Sequence, residues 1–171
     1  MTFIPPVPVA GNIVTLLGKA QSSTSKVTSV PTQVVLLGSG LTSSRTSVVN
    51  GRLRLTSGCN YYIEAALGVL ALNRPANAYL DVAWYNTTTS AEIGARLYAR
   101  VGSNQTVGTA SRSARWAARA LILASDFGAN PTMDIELRAV ACSPLSTTWY
   151  ANLYQSATPE GDSSICVWEV S

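Results

Sequence analysis

Histidine is absent from this sequence. That removes the commonest general base, the usual serine and cysteine triads and most zinc sites. Charge is scarce: charged residues are 12% of the chain, against about 25% in an ordinary soluble domain. Only nine residues are acidic, and none precedes Glu64. With so few carboxylates, paired acid/base or cation-binding chemistry has little to build on. Cysteine occurs three times, at Cys59, Cys142 and Cys166, in no metal-binding spacing. An odd count argues against a secreted disulfide framework and leaves reduced, buried thiols as the simplest reading. No apolar run is long enough to span a bilayer, and Pro5, Pro6 and Pro8 interrupt the start of the chain, so neither a membrane anchor nor a signal peptide is expected. The expected site of synthesis is a reducing cytoplasm.

What is present is apolar and β-forming. Hydrophobic residues make up 47% of 171 positions, enough for one domain that buries roughly 70% of its unfolded surface. A surface this poor in charge points to an assembly or a large interface. The net charge of +3 is too weak to imply nucleic acid, but its distribution is uneven. Lys19, Lys26, Arg45, Arg52 and Arg54 make the N-terminal third basic, which suits either an arm docking on an acidic partner or a solvated, uncommitted arm.

Residues 1–30 read as that arm. The segment FIPPVPV is extended or polyproline-like, NIVTLLGKA is a short strand or a helical turn, and QSSTSKVTS is a polar tether. Phe3, Ile4, Val7, Val9, Ile13, Val14, Leu16 and Leu17 are costly to leave in water and should bury against the same chain or a partner. From Pro31 onward short strands alternate with turn signals. Strands are expected at 33–37, 45–49, 52–56, 59–70, 78–87, 92–101, 132–142, 147–156 and 164–170, with Asn50-Gly51 as a hairpin turn. The segment 114–124 is ambiguous, because its Ala and Arg suit a helix while its surroundings favour a strand. About ten strands with hairpin-length connections give an antiparallel sandwich or barrel. The last strands are apolar on both faces, so Trp149, Tyr150, Tyr154 and Trp168 are expected at a subunit interface or under the N-terminal arm.

The segment GRLRLTSGCNYYIEAALGVL resembles the short strand, Ser/Gly turn and aromatic-led long strand of complement-type and tumour-necrosis-factor-like jelly-roll domains. ARALILASDFGANPTMDIELRAV is similar to their paired apolar strands around an Asp-containing turn, and SSICVWEVS to their closing strand. The resemblance covers residues 31–171 and is one of pattern. It implies a ten-stranded β-sandwich jelly roll behind an extended arm, forming homotrimers with the last strands and aromatic rows near the threefold axis. The Ala- and Arg-rich 114–124 segment and the Pro-rich arm depart from the family, so cytokine or complement roles do not follow. Similar trimeric jelly rolls serve phages and other viruses as capsid decoration (cement) proteins and fibre tips.

Candidate chemistry is thin. Asp134 and Glu136 sit two apart on one strand face, a spacing that suits a cation or a glycosidic bond; a solvated face with Arg138 nearby is the simpler reading. Asp126 in Asp-Phe-Gly reads as a turn. Arg112, Arg115 and Arg119 with Trp116 suit nucleic acid, sugar or acids across a subunit seam. No catalytic residue, metal site or cofactor is expected. The function expected is therefore a trimeric decoration protein on the capsid surface of a virion, assembled in a host cytoplasm. Its partners are itself and the major capsid protein, with neither nucleic acid nor membrane involved. Phe3, Ile4, Val7, Val9 and Ile13 anchor the arm, Lys19 and Lys26 favour acidic capsid patches, and Trp149, Tyr150, Tyr154 and Trp168 join the subunits. The alternative is a fibre tip whose loops 73–77, 102–113 and 157–163 bind a host glycan.

Overall fold

The computed structural model describes residues 14–17, 26–27, 31–34, 44–72, 79–100, 111–112, 116–143, 148–152 and 164–170. It is all-β and antiparallel, with a single turn of 3-10 helix at Ala124–Phe127. The strands are β1 (Val14–Leu17), β2 (Lys26–Val27), β3 (Thr32–Val34), β4 (Thr46–Val49), β5 (Arg52–Thr56), β6 (Asn60–Leu72) and β7 (Tyr79–Asn86). They continue with β8 (Ala91–Arg100), β9 (Ser111–Arg112), β10 (Trp116–Ile122), β11 (Thr132–Ser143), β12 (Thr148–Asn152) and β13 (Ser164–Val170).

Ladders are nested about the turn at Thr87–Ser90, four of them forming its main levels. Innermost, β7 pairs with β8 (Leu80 opposite Ala99). Around it β6 pairs with β10 (Ile63 opposite Ala120), then β5 with β11 (Leu55 opposite Met133), then β1 with β13 (Val14 opposite Val167). The chain is thus one long hairpin, rolled up so that successive levels also bond to one another. β13 pairs with β6, and β11 pairs with β7. The resulting sheet runs β1-β13-β6-β10-β8-β7-β11-β5-β4 and curls on itself.

Alternation in the sequence sets what faces the inside of the curl. β5 buries Leu53 and Leu55; β6 buries Tyr61, Ile63 and Ala65; β11 buries Met133, Ile135, Leu137 and Ala139. Among the described residues Trp84 of β7 is the largest fully buried side chain, and its indole Nε1 donates to the Ala118 carbonyl of β10 at 3.0 Å, tying β7 to β10, the two strands on either side of β8. The hairpin between β4 and β5 turns on Asn50 (φ 52°) and Gly51 (φ 74°), the two consecutive positive φ values of a two-residue turn that matches strand twist.

The ambiguous segment at 114–124 is strand over Trp116–Ile122, with Ala118, Ala120 and Ile122 buried and Arg119 and Leu121 exposed. Its helix propensity loses because β6 pairs along its whole length and takes up its backbone hydrogen bonds. The Asp-Phe-Gly turn carries more than a turn: Phe127 is buried against Tyr61, ring centroids 6.1 Å apart, and the Asp126 carboxylate accepts the Leu123 N–H at 2.8 Å. Two pieces of the N-terminal thirty residues belong to the sheet. β1 lies on β13, and β2 lies on β12 within the stretch read as a polar tether. The three cysteines are free and half-buried rather than fully buried, and desolvation pushes the Cys142 thiol above its usual range.

Candidate docking surface

The two outer faces of the curled sheet differ in chemistry. On the β5-β11-β7 side the outward residues are charged and paired. Arg54 clasps Asp134 through two bonds of 2.7 and 2.8 Å. Arg52 donates to Glu136 at 2.8 Å, and Arg138 donates to the same carboxylate from its own strand while its guanidinium lies 3.5 Å over the Tyr85 ring. On β8, Arg96 holds Glu92 through two bonds of 2.9 Å. Glu136, expected on a solvated face, is only 2% exposed because arginines of β5 and β11 roof it over. Asp134 and Glu136 are thus each committed to guanidinium partners. Among the described residues no group of three His, Cys, Asp or Glu could hold a metal ion.

The hydrogen bonds from Arg54 hold the Asp134 carboxyl below the usual carboxylate range. A carboxylate whose pKa falls on folding adds stability above its unfolded pKa, and that stability is lost as the pH drops through the lower, folded value. Asp134→Asn should therefore flatten part of the loss of thermal stability below about pH 4 and leave little pH dependence above it. The cost at neutral pH should be about 1 kcal/mol or less, because Arg54 is well exposed to solvent. Melting temperatures of both proteins across an acid series check this.

On the β13-β6-β10 side one outward row is apolar and aromatic. Register places Trp168 of β13, Tyr62 of β6 and Leu121 of β10 side by side in one row. The Trp168 and Tyr62 ring centroids lie 5.3 Å apart with their planes tilted by 43°. Leu121 is 58% exposed, and Leu123, just past the end of β10, is 44% exposed. The next row along the same strands holds Cys166, Glu64 and Arg119, where Arg119 donates to Glu64 at 2.7 Å. Arg119 therefore has a carboxylate partner within its own sheet, which weakens its reading as part of a basic nucleic-acid patch. Burial pushes the Tyr62 phenol above its usual range, so it stays neutral at physiological pH.

The residues proposed from sequence divide by position. Phe3, Ile4, Val7, Val9, Ile13, Lys19 and Tyr154 lie outside the described residues, as do the loops 73–77 and 157–163 and the stretch 102–110. Lys26 stands in β2 opposite Tyr150 of β12. Trp149 stands opposite Ala71 on β6, whereas Trp168 stands opposite Tyr62 on the same strand. That separation along β6 is about 30 Å at 3.3 Å per residue. Trp168 therefore keeps company with Tyr62 and Leu121, and not with Trp149 and Tyr150. Tyr62, Leu121 and Leu123 were not singled out from sequence. Their signal was the odd/even alternation of 59–70 and 114–124, which is readable for the second segment only once it is known to be a strand. No protein-family model matches the chain, and no curated protein is significantly similar to it.

Proposed function

We propose that this chain is a virion structural protein, a homotrimeric decoration (cement) protein that binds and stabilises a viral head. The observation that carries the reading is the apolar row of half-buried Trp168 and Tyr62 with exposed Leu121 and Leu123, at the end of the sheet where β1 begins, on a body whose other outward face carries paired charges and the exposed Tyr98. Charged outward residues that are already paired within the subunit offer little to a partner; an apolar row that is still partly exposed gains by being covered. The nested pairing of β1 with β13, β5 with β11, β6 with β10 and β7 with β8 supports a jelly roll, the double-sheet arrangement of many capsid proteins. In this reading residues 1–13 form the extended arm, with Phe3, Ile4, Val7, Val9 and Ile13 anchoring on the major capsid protein. Lys19 and Lys26 add attraction to acidic patches. Trp149, Tyr150 and Tyr154 join the subunits about a threefold axis, with Trp168 in the second, capsid-facing patch. Binding the assembled shell and not its separated parts shifts the equilibrium toward the shell, and three arms per trimer add avidity.

The test is co-sedimentation with undecorated capsids. The full chain should pellet with the shells, and a chain lacking residues 1–11, which leaves β1 in place, should pellet at least roughly a hundredfold more weakly, the scale of lost multivalent anchoring. Equal pelleting of the two would remove the arm from the account, and pelleting of neither would remove the capsid.

The tilted Tyr62–Trp168 ring pair beside the Glu64–Arg119 pair also favours a second reading, a fibre tip that stacks a host glycan on its aromatic rings. Retention of the full chain on immobilised host polysaccharide, abolished by Trp168→Ala, would select it.

A further inference from the structure

We propose that Asn50 is a self-modification site: the Gly51 nitrogen displaces the Asn50 side-chain amide, and water opens the product to an isoaspartate that releases Arg52 from Glu136. Asn50-Gly51 is the one Asn-Gly pair in the sequence. Asn50 is exposed at the tip of the hairpin between β4 and β5. Glycine sets no side chain beside the nitrogen that attacks. The ladder closes at Val49 opposite Arg52, so the Gly51 N–H takes no part in it. Three other asparagines are held back by their surroundings. The Asn60 Oδ1 accepts the Ala124 N–H at 2.9 Å. The Asn86 Oδ1 accepts the Thr88 N–H at 2.9 Å, and the residue is buried. Asn130 precedes Pro131, whose nitrogen has no hydrogen to give up and so cannot close the ring.

The step balances with water alone. The Gly51 nitrogen bonds to the Asn50 Cγ, the Cγ–Nδ2 bond breaks, and Nδ2 leaves as ammonia with the proton that the Gly51 nitrogen gave up. A five-membered imide remains. Water then adds to one of its two carbonyls. Breaking the new N–Cγ bond gives aspartate. Breaking the original bond between the Asn50 carbonyl carbon and the Gly51 nitrogen gives isoaspartate, whose main chain runs through Cβ and Cγ and is longer by one atom. Nothing is oxidised or reduced. A two-residue turn with φ of 52° and 74° has no room for that atom, so the Val49–Arg52 pair opens. Arg52 begins β5, and its Nε donates to Glu136 at 2.8 Å. A displaced hairpin tip therefore draws one of two guanidiniums off a carboxylate that is only 2% exposed. The attack needs the Asn50 Cγ to swing onto the Gly51 nitrogen, a rotation that the closed turn restrains. Gln33 of β3 keeps the tip closed by donating from Nε2 to the Gly51 carbonyl at 3.2 Å. Among the described residues β4 bonds only to β5, so the tip opens without disturbing the rest of the sheet. The chemistry is the chain's own and runs with or without a capsid.

The folded full chain is held at mildly alkaline pH, and its peptides are followed by mass spectrometry with electron-based fragmentation, which tells isoaspartate from aspartate. The expected result is conversion at Asn50 ahead of Asn60, Asn86 and Asn130, with isoaspartate as the main product. In the isoaspartyl chain the Val49 and Arg52 amides should exchange hydrogen at least roughly tenfold faster than in Asn50→Asp, which carries the same charge on a main chain of ordinary length. Gln33→Ala should speed the conversion about fivefold, the scale of one net hydrogen bond. An Asn50 that keeps its amide, or loses it no sooner than Asn60, would overturn the site. Exchange at Val49 and Arg52 equal to that of Asn50→Asp would overturn the release of Arg52, and a rate indifferent to Gln33→Ala would overturn the restraint of the tip by β3.

Discussion

Gly94→Ala will cost more stability than a single methyl group usually does, about 3 kcal/mol or more, and much of the protein will be lost to aggregation on expression. A Cβ built on Gly94 falls 1.9 Å from the Arg119 carbonyl oxygen, 2.6 Å from the Ala120 Cα and 2.7 Å from the Ala120 Cβ. Two of those atoms are backbone, so no side-chain rotation relieves the overlap. Gly94 also sits at φ +73°, which adds strain for any L side chain. The position matters because β8 shifts register against β7 there, between the Val82 and Trp84 pairs. The bulge turns β8 toward β10, where one residue pair, Arg119 opposite Ala95, closes the corner. Urea unfolding of wild type and variant decides the matter. A Gly94→Ala unfolding free energy within about 1 kcal/mol of wild type would mean that β8 and β10 do not approach in this way.

Trp84 should be the most damaging core truncation. Its side chain is fully buried, and its Nε1–H holds the Ala118 carbonyl across the curl at 3.0 Å. Trp84→Ala leaves a cavity and should cost about 3–5 kcal/mol, a third or more of a typical domain's stability. Trp84→Phe separates the two roles of the indole. It keeps much of the packing but strips the Ala118 carbonyl of its donor, for a further cost of about 1–3 kcal/mol. Chemical denaturation of the pair should therefore rank wild type above Trp84→Phe above Trp84→Ala. A phenylalanine variant as stable as wild type would show that the hydrogen bond between β7 and β10 contributes nothing net.

Much of the sheet could be read from alternation alone, for a physical reason. RLRLT and TMDIELRAVAC place apolar residues at every second position, the period of a strand with one face inward, and AYLDVAWYNT does so at Leu80, Val82 and Trp84, although β7 is buried on both faces over 80–84. The structure has β5, β7 and β11 there. Partners were not readable, because which strands lie side by side is decided by contacts distant in sequence. Glu136 shows the consequence. Its outward parity is plain from the sequence, but that Arg52 of β5 and Arg138 cover it depends on β5 lying beside β11. The same gap hid the apolar row: Tyr62, Leu121 and Trp168 come from three segments, and only the registers of β10 and β13 on β6 set them abreast. Phe127 was passed over because its Asp-Phe-Gly setting reads as a turn, and a turn can still drop one side chain into the core.

The separation of Trp168 from Trp149 changes how the proposed assembly is arranged. Aromatic residues grouped by their closeness to the C-terminus stand at opposite ends of β6. In the proposed assembly the Trp149 end would face the subunit's own copies and the Trp168 end, beside the start of β1, the shell. The charges of β5, β8 and β11 are paired with one another.

The most direct test of a cement protein is the stability of the shell it is proposed to hold. Undecorated capsids are heated with increasing amounts of the purified full chain, and the temperature at which shells disassemble is followed by light scattering. The account predicts that this temperature rises with added protein and levels off once the capsid sites are filled, with bovine serum albumin at the same mass giving no rise. A disassembly temperature that stays where it is at every protein concentration would contradict it.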